Sequence, residues 1–428
     1  MKTPCLFDVA LAAALSLAIG SGRAWAAPQE GPLADEPQVV QALSAQPAWQ
    51  LALQLHRAEL SRAEATAASP HEWSPSASWA RRTFRPDATQ PARAGERDWS
   101  LGLSRGLRLP DKAEAADAWG QRQRERADAQ LAVSWLELGR ALVQDAGECM
   151  LASRQAQLWW AHWQLQQEQH RNVSRRHELG DAARQDVILL DAARSQAESS
   201  WLQARQQAQL AEARWRARHP GIVVPQWSQA EPLLSGDPPA AQTAEAIEAR
   251  LMAHPAARKA ELDAAVAAAQ SRHADTDRRP DPTVGVQVGR DANGAERVWG
   301  VNVSWPLGGV VRSRQAEAAA AEARAAEAGL DEVRRELRLS LQRWADDVGM
   351  ANQAWQAQAL AASQTAAAAQ ALRKGQELGH VGVGEVLLMQ RQLIEQQQAE
   401  AAALVQAWQA RTRWALESGV KWAMPPVD

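Results

Sequence analysis

The sequence predicts a mainly α-helical chain with a small β part, built as one unit used twice. Three observations predict it. Each half carries a pair of alternating segments closing on a Pro: Trp99-Ser100-Leu101-Gly102-Leu103-Ser104 before Pro110, and Trp299-Gly300-Val301-Asn302-Val303-Ser304 before Pro306. Each pair leads into a long Ala/Gln/Glu/Arg-rich tract that reverses once, at Leu179-Gly180 and at Leu378-Gly379. The spacing is nearly constant: Pro306 lies 196 residues after Pro110, and Gly379 lies 199 after Gly180. Self-similarity at a fixed offset marks a duplicated structural unit.

Residues 1–26 read as an export signal. Lys2 is the positive n-region, Leu6 to Ile19 the apolar core, and Ala24-Trp25-Ala26 an A-x-A cleavage site. Cys5 precedes the apolar core, so it cannot be the lipidated first residue of a mature lipoprotein. After cleavage Cys149 is the single cysteine, and no internal disulfide is possible. It lies in a helical tract and reads as a packing residue. No later segment approaches the ~20 continuous apolar residues of a spanning helix. The 47 basic and 50 acidic residues nearly balance, and no charged tail points to a nucleic-acid partner.

The first repeat covers 27–218. A helix runs from Glu36 to about Ala68 and stops at Pro70. Trp73 to Trp79 alternates but contains Pro75, so it reads as an edge strand. Pro86, Pro91 and Gly95 mark a loop. From Asp98 to Leu109, Trp99, Leu101, Leu103, Leu107 and Leu109 share one parity, while Asp98, Ser100, Gly102, Ser104 and Arg108 share the other. Period two puts these sets on opposite faces. From Asp111 to Glu178 there is no Pro, and good helix formers dominate. Such a run makes a rod of ~100 Å at 1.5 Å per residue. Leu179-Gly180-Asp181 reads as a helix end, a tight reversal and a new N-cap. A return helix from Ala182 to about Arg218 stops at His219-Pro220-Gly221.

Residues 219–242 are Pro-rich and connect the repeats. The second repeat, 243–418, opens with a helix from Thr243 to Asp275 that is interrupted near Pro255. A strand pair over about 283–305 follows, its turn at Asp291-Ala292-Asn293-Gly294. A long Ala-rich helix runs from Val311 to Leu378, Gly379 to Gly384 reverse the chain, and the last helix reaches about Ser418. Gly419 reads as its stop, with 419–428 as a tail.

Four strands from one chain cannot close a useful barrel. Three chains would supply twelve, within the range of outer-membrane barrels, and closure would remove every open edge. Ala316-Glu317-Ala318-Ala319-Ala320-Ala321 would let the helices of such a trimer approach closely. An exported coiled-coil protein without a pore is the competing reading. It has no use for paired amphipathic segments near barrel-strand length.

The order of elements, helix then strand pair then long helical hairpin, twice over, resembles the TolC-type outer-membrane factors of tripartite efflux and type I secretion systems. The local motifs agree. The tip pattern Leu179-Gly180-Asp181 with Asp186-Val187-Ile188-Leu189-Leu190-Asp191 returns as Leu378-Gly379 with Glu385-Val386-Leu387-Leu388. Leu107-Arg108-Leu109-Pro110-Asp111-Lys112 is similar to the cobalt-zinc-cadmium branch. The resemblance implies a homotrimer: a 12-stranded barrel in outer-membrane lipid, continued by a helical tunnel across the periplasm of a Gram-negative bacterium. It implies a passive conduit for efflux, with heavy-metal cations as one candidate cargo and type I secretion as the alternative. It further implies that Leu179, Gly180, Asp181, Leu378, Gly379 and His380 meet a periplasmic adaptor (membrane fusion) protein that serves an inner-membrane transporter of the RND type.

Candidate pore acids are Asp181, Asp186, Asp191 and Glu377. Residues 361–376 contain no Asp or Glu, which leaves Glu377 as the acid before the second tip. Asp181, Asp186 and Asp191 are more often N-terminal helix charges than a cation site, but a trimer turns any one of them into a ring of three. Trp79, Trp99, Trp299 and Trp305 are candidate barrel-interface aromatics, although sheet packing would also account for Trp299 and Trp305. His162, His170 and His177 lie too far apart along one rod to share a metal ion within one chain. His380 reads as a surface residue of the tip. No cofactor is expected. Gly379-x-x-Gly382-x-Gly384 follows a helix and reads as a turn, and no catalytic motif is present, so an enzyme is not expected.

Overall fold

A computed structural model describes residues 33, 36–83, 95–225, 227 and 243–426. The signal segment, the loop prolines Pro86 and Pro91, and most of the 219–242 connection lie outside the described residues.

The chain runs α1 (Glu36–Ser44), α2 (Pro47–Ala67), β1 (Ser74–Arg82), β2 (Glu96–Gly106), α3 (Pro110–Glu178), α4 (Arg184–Arg218), α5 (Ala244–Ala253), α6 (Pro255–Thr276), β3 (Thr283–Asp291), β4 (Glu296–Ser304), α7 (Val310–Glu377) and α8 (Val383–Glu417). The two halves repeat the same order. Pro110 opens α3 at its first turn, where the missing N–H costs nothing. After Pro110, neither the 69-residue α3 nor the 68-residue α7 contains a further proline, and each is about 100 Å long.

Two expectations need correction. The helix expected over Glu36–Ala68 is two helices, because Pro47 starts a new one and Gln46 takes extended backbone angles (φ −66°, ψ 143°). The second repeat does the same at His254 and Pro255. Asp181 is not an N-cap: α4 begins only at Arg184, after Ala183, and Asp181 instead pairs with Arg176.

Each long helix is flanked by two shorter ones placed end to end. Helix α4 folds back along α3, and α2 packs on the same rod; α8 and α6 treat α7 likewise. The ends meet through side chains. Gln46, before α2, bonds His219, after α4, at 2.9 Å. His254, before α6, bonds Glu417, the last residue of α8, at 3.1 Å. Helices α6 and α8 also pack on α3, which joins the two repeats.

The largest apolar cluster surrounds these junctions. It gathers Val39 and Leu43 of α1, Trp49 of α2, Trp135, Leu142 and Met150 of α3, Trp215 of α4, and Leu404 and Trp408 of α8. Trp49 meets Trp135 edge-on with centroids 4.9 Å apart. A nine-residue helix such as α1 is not stable alone. Burying Val39 and Leu43 completely, for about 1.5–3 kcal/mol each, is what holds it. Cys149 lies in the same cluster, and burial pushes its thiol up to about 11.

Candidate channel wall and rod tips

The four strands form one antiparallel sheet in the order β1-β2-β3-β4, so β1 and β4 are its edges. Pro75 sits in the edge strand β1, where a missing donor is tolerated. Register aligns Trp79 with Trp99, Ala77 with Leu101 and Pro75 with Leu103. It aligns Leu101 with Val288 and Leu103 with Val286, then Val288 with Trp299, Val286 with Val301 and Val284 with Val303. All of these share one face. The opposite face carries Ser74, Ser76 and Ser78, then Ser100, Gly102 and Ser104, then Gly285, Gln287 and Gly289, then Gly300 and Asn302. Ser78 and Ser100 bond each other across it at 2.8 Å.

This is an unusual sheet for a single water-soluble chain. The apolar face is uncovered: Leu101, Val286, Val288, Val301, Val303 and Trp299 are all exposed. Small polar residues on the other face leave room for water. The strands have 9 to 11 residues, the length of a tilted membrane strand. No helix among the described residues is long and apolar enough to cross a membrane, which says nothing of a barrel.

Trp79, Trp99 and Trp299 lie on the apolar face toward the turn end, and Trp305 just past β4 at the rod end; all four are exposed. Leu107 and Leu109, expected within the second strand, lie beyond its end at Gly106. They belong to a polar collar where strands enter rods. There Lys112, almost fully buried, reaches Asp277 at 2.8 Å and Asp281 at 3.1 Å. His71 bonds Asp281 at 2.8 Å, and Arg108 donates to the carbonyls of Ala67 and Ala68. The run Leu107 to Lys112 thus anchors the sheet to the rods.

At the far end both rods reverse in the same way. Gly180 and Gly379 take left-handed angles, φ +81° and +78°. The Asp181 amide donates to Arg176 O at 2.8 Å and the Gly180 amide to His177 O at 2.9 Å. His380 and Gly379 do the same to Gly375 O and Gln376 O, at 2.9 and 3.0 Å. These paired bonds satisfy carbonyls that a helix end otherwise leaves open. Leu179 and Leu378 stand at the apex, 77% and 72% exposed.

The tip acids have different surroundings. Asp181 pairs with Arg176 at 3.0 Å and Asp191 with Arg194 at 2.9 Å. Asp186, in the first turn of α4, and Glu377, at the end of α7, have no side-chain partner among the described residues. His162 is largely buried against Trp159, and burial lowers its pKa. His170 approaches Asp191 at 3.8 Å, and His177 bonds Ala182 O at 2.8 Å. No group of three metal-ligating side chains converges among the described residues.

Sequence reasoning missed the side-chain contacts that close the two helix junctions, although the break near Pro255 was legible. In the first repeat His219 bridges Gln46 and Asp145 of α3, the latter at 2.8 Å. Burial holds His219 below the usual imidazole range, although Asp145 opposes this. In the second, Glu417 is held by Arg140 of α3 at 2.6 and 2.8 Å. The one signal available was a polar residue followed by Pro in both halves, Gln46-Pro47 and His254-Pro255.

No family model and no curated protein matches the sequence. Solved structures do match the fold. The outer-membrane channel OprN is 20% identical, with a TM-score of 0.67 and 90% of each chain covered. The outer membrane protein VceC of Vibrio cholerae is 18% identical, with a TM-score of 0.69 over 92% of this chain and 98% of its own. CusC, described in terms of transmembrane channel formation, is 14% identical, with a TM-score of 0.71 over 89% and 91%. About nine-tenths of this chain superposes on each of them, so it has the fold of the TolC-type outer-membrane channels.

Proposed function

We propose that three copies of this chain form an outer-membrane channel that carries efflux substrates passively across the periplasm to the outside. The observation that carries the reading is the two-faced sheet. One chain leaves an apolar face uncovered and two strand edges unpaired, and joining β4 of one copy to β1 of the next relieves both at once. The apolar face then meets lipid, and the Ser/Gly/Gln/Asn face lines a wet bore. Trp79, Trp99 and Trp299 form one aromatic girdle and Trp305 lies in the other. The rods extend about 100 Å from the barrel into the periplasm.

The tips carry the partner contact. Leu179 and Leu378 are exposed apolar residues on turns closed by paired backbone hydrogen bonds, suited to dock a periplasmic adaptor. Through it the channel would serve an inner-membrane transporter, of the RND type in the reading the sequence resemblance supports. Heavy-metal cations are one proposed cargo, resting on the sequence resemblance alone. A channel needs no metal-binding site of its own to pass them.

The test is reconstitution of the mature chain. A heat-modifiable trimer on gels and discrete conductance steps in a planar bilayer are expected. A monomer that stays in aqueous extract without detergent, and never conducts, would overturn the proposal.

A further inference from the structure

The apolar face of the sheet ends in arginines. Arg81, Arg97, Arg290 and Arg297 sit one on each strand, beside the turns farthest from the rods. All four share the parity of Trp79, Trp99, Val288 and Trp299, and all are exposed. The acids of the same strand ends take the other face. Glu96, Asp98, Asp291 and Glu296 alternate inward, where Arg82 reaches Asp98 at 2.9 Å and Asp291 at 3.9 Å. Charge is therefore sorted by face: mixed inside, purely cationic outside.

The register makes this costly for the protein alone. Arg81 lies directly opposite Arg97, and Arg290 directly opposite Arg297. Arg290 also faces Trp99 across the β2–β3 pair, which sets it diagonally from Arg97. Like charges directly opposed destabilise a strand pair. None of the four guanidinium groups has a hydrogen-bond or ion-pair partner among the described residues. The same costly pairing occurs in both hairpins. An anion shared between opposed guanidinium forks would relieve it, and phosphate oxygens match that fork in bidentate fashion.

The neighbouring residues narrow the anion to one source. Immediately below the arginines the same face carries Trp79, Trp99, Val288 and Trp299, and then Leu101, Leu103, Val286 and Val301. A free anion gains nothing from that surface. A lipid does: its chains lie on the apolar rows while its headgroup reaches the arginines. Building on the membrane reading above, we propose that Arg81, Arg97, Arg290 and Arg297 bind the phosphate groups of an outer-leaflet glycolipid. A trimer would present twelve such arginines as a continuous belt.

The test uses the mature trimer in detergent, titrated with fluorescent bis-phosphorylated lipid A and with the same lipid after enzymatic dephosphorylation. The phosphorylated form should bind at least about tenfold more tightly. That preference should collapse in the R81Q/R97Q/R290Q/R297Q variant and return only in part when the four positions carry Lys, a point charge without the bidentate fork. Equal binding of the two lipids by the wild type overturns the proposal, as does a preference that survives in the quadruple variant. Full displacement by millimolar inorganic phosphate, with no gain from the acyl chains, would show a free-anion site and overturn it too. If the quadruple variant does not assemble, the R81Q/R97Q and R290Q/R297Q pairs and the wild-type comparison decide. Bilayer conductance of the wild type is recorded in parallel. A conducting trimer without phosphate preference removes the lipid site alone, whereas a chain that never conducts removes the membrane reading.

Discussion

His254 donates its Nε2 hydrogen to Glu417 at 3.1 Å, and both side chains are wholly withdrawn from solvent. The tautomer follows from the second ring nitrogen, which accepts from the Ala256 amide at 3.1 Å and caps α6. Arg140 closes the other side of the carboxylate with two bonds. Three helices (α3, α6 and α8) are thereby fastened at one carboxyl group.

Replacing that carboxylate should be expensive. Glu417→Ala leaves His254 and Arg140 without their acceptor. The expected loss is about 2–3 kcal/mol, the low side for a broken buried pair because Arg140 is a third exposed. Thermal unfolding of the detergent-solubilised trimer measures it, and a loss under ~0.5 kcal/mol would show that the junction does not depend on this group.

Acid should weaken the same junction. Burial alone would raise the Glu417 carboxyl, but hydrogen bonds from His254 and Arg140 and the Arg140 charge outweigh it and hold the group below its ordinary value of 4.5. A carboxyl depressed in the folded state stabilises fully above its unfolded pKa, and that stability is lost as pH falls through the folded value. Stability should thus be flat from this group at neutral pH and decline below about pH 4.5. The Glu417→Gln variant should show a shallower acid limb; an unchanged slope would assign acid sensitivity to other groups.

Adjacent residues of β3 should differ sharply. Val286→Arg places a charge on the apolar face and should cost about 2–4 kcal/mol if it lies near the bilayer midplane. Gln287→Arg points to the polar face and should fold nearly as well as the wild type. Urea titrations of folding into lipid vesicles compare them, and equal costs would contradict the two-faced sheet.

At the tips, contact and folding should separate. Leu179→Ser and Leu378→Ser remove apices that are already solvent-exposed, so the melting temperature should hold while adaptor crosslinking drops. Gly180→Ala should act in the opposite sense. No atom lies within 4 Å of the added Cβ, so only the left-handed backbone is strained, by about 1–2 kcal/mol. Exchange of the Asp181 amide should speed up by about five- to thirtyfold, and the melting temperature should fall while adaptor crosslinking holds.

Asp186 and Glu377 are the candidate acids free of ion pairs within the described chain. Asp186→Asn and Glu377→Gln should move the reversal potential of single channels toward zero under a salt gradient, whereas Asp181→Asn, already paired with Arg176, should move it less. No shift in any variant would remove these acids from the bore.

Local rules made much of this readable. Period-two alternation exposed both faces of the sheet, and the Leu-Gly pairs marked both tips, because each depends on residues close in sequence. The break at Pro47 is hidden because Val39, Leu43 and Leu51 keep a helical rhythm across it. Leu107 and Leu109 continue the strand alternation, but pairing in register with β3 ends at Gly106 opposite Thr283, so they fall outside the sheet. Asp181 looks like a cap, yet Arg176 one turn earlier takes its carboxylate. Glu417 and Arg140 are 277 residues apart, and nothing local announces that they meet.

The halves of the chain are copies in backbone but not in chemistry. One tip ends in Asp181 bound to Arg176, the other in His380, and one junction turns on His219 where the other turns on Glu417. A trimer of such chains offers six rod ends of two alternating kinds. Any six-membered ring that seats itself there meets two non-equivalent berths, so its copies must engage in two unequal sets of three.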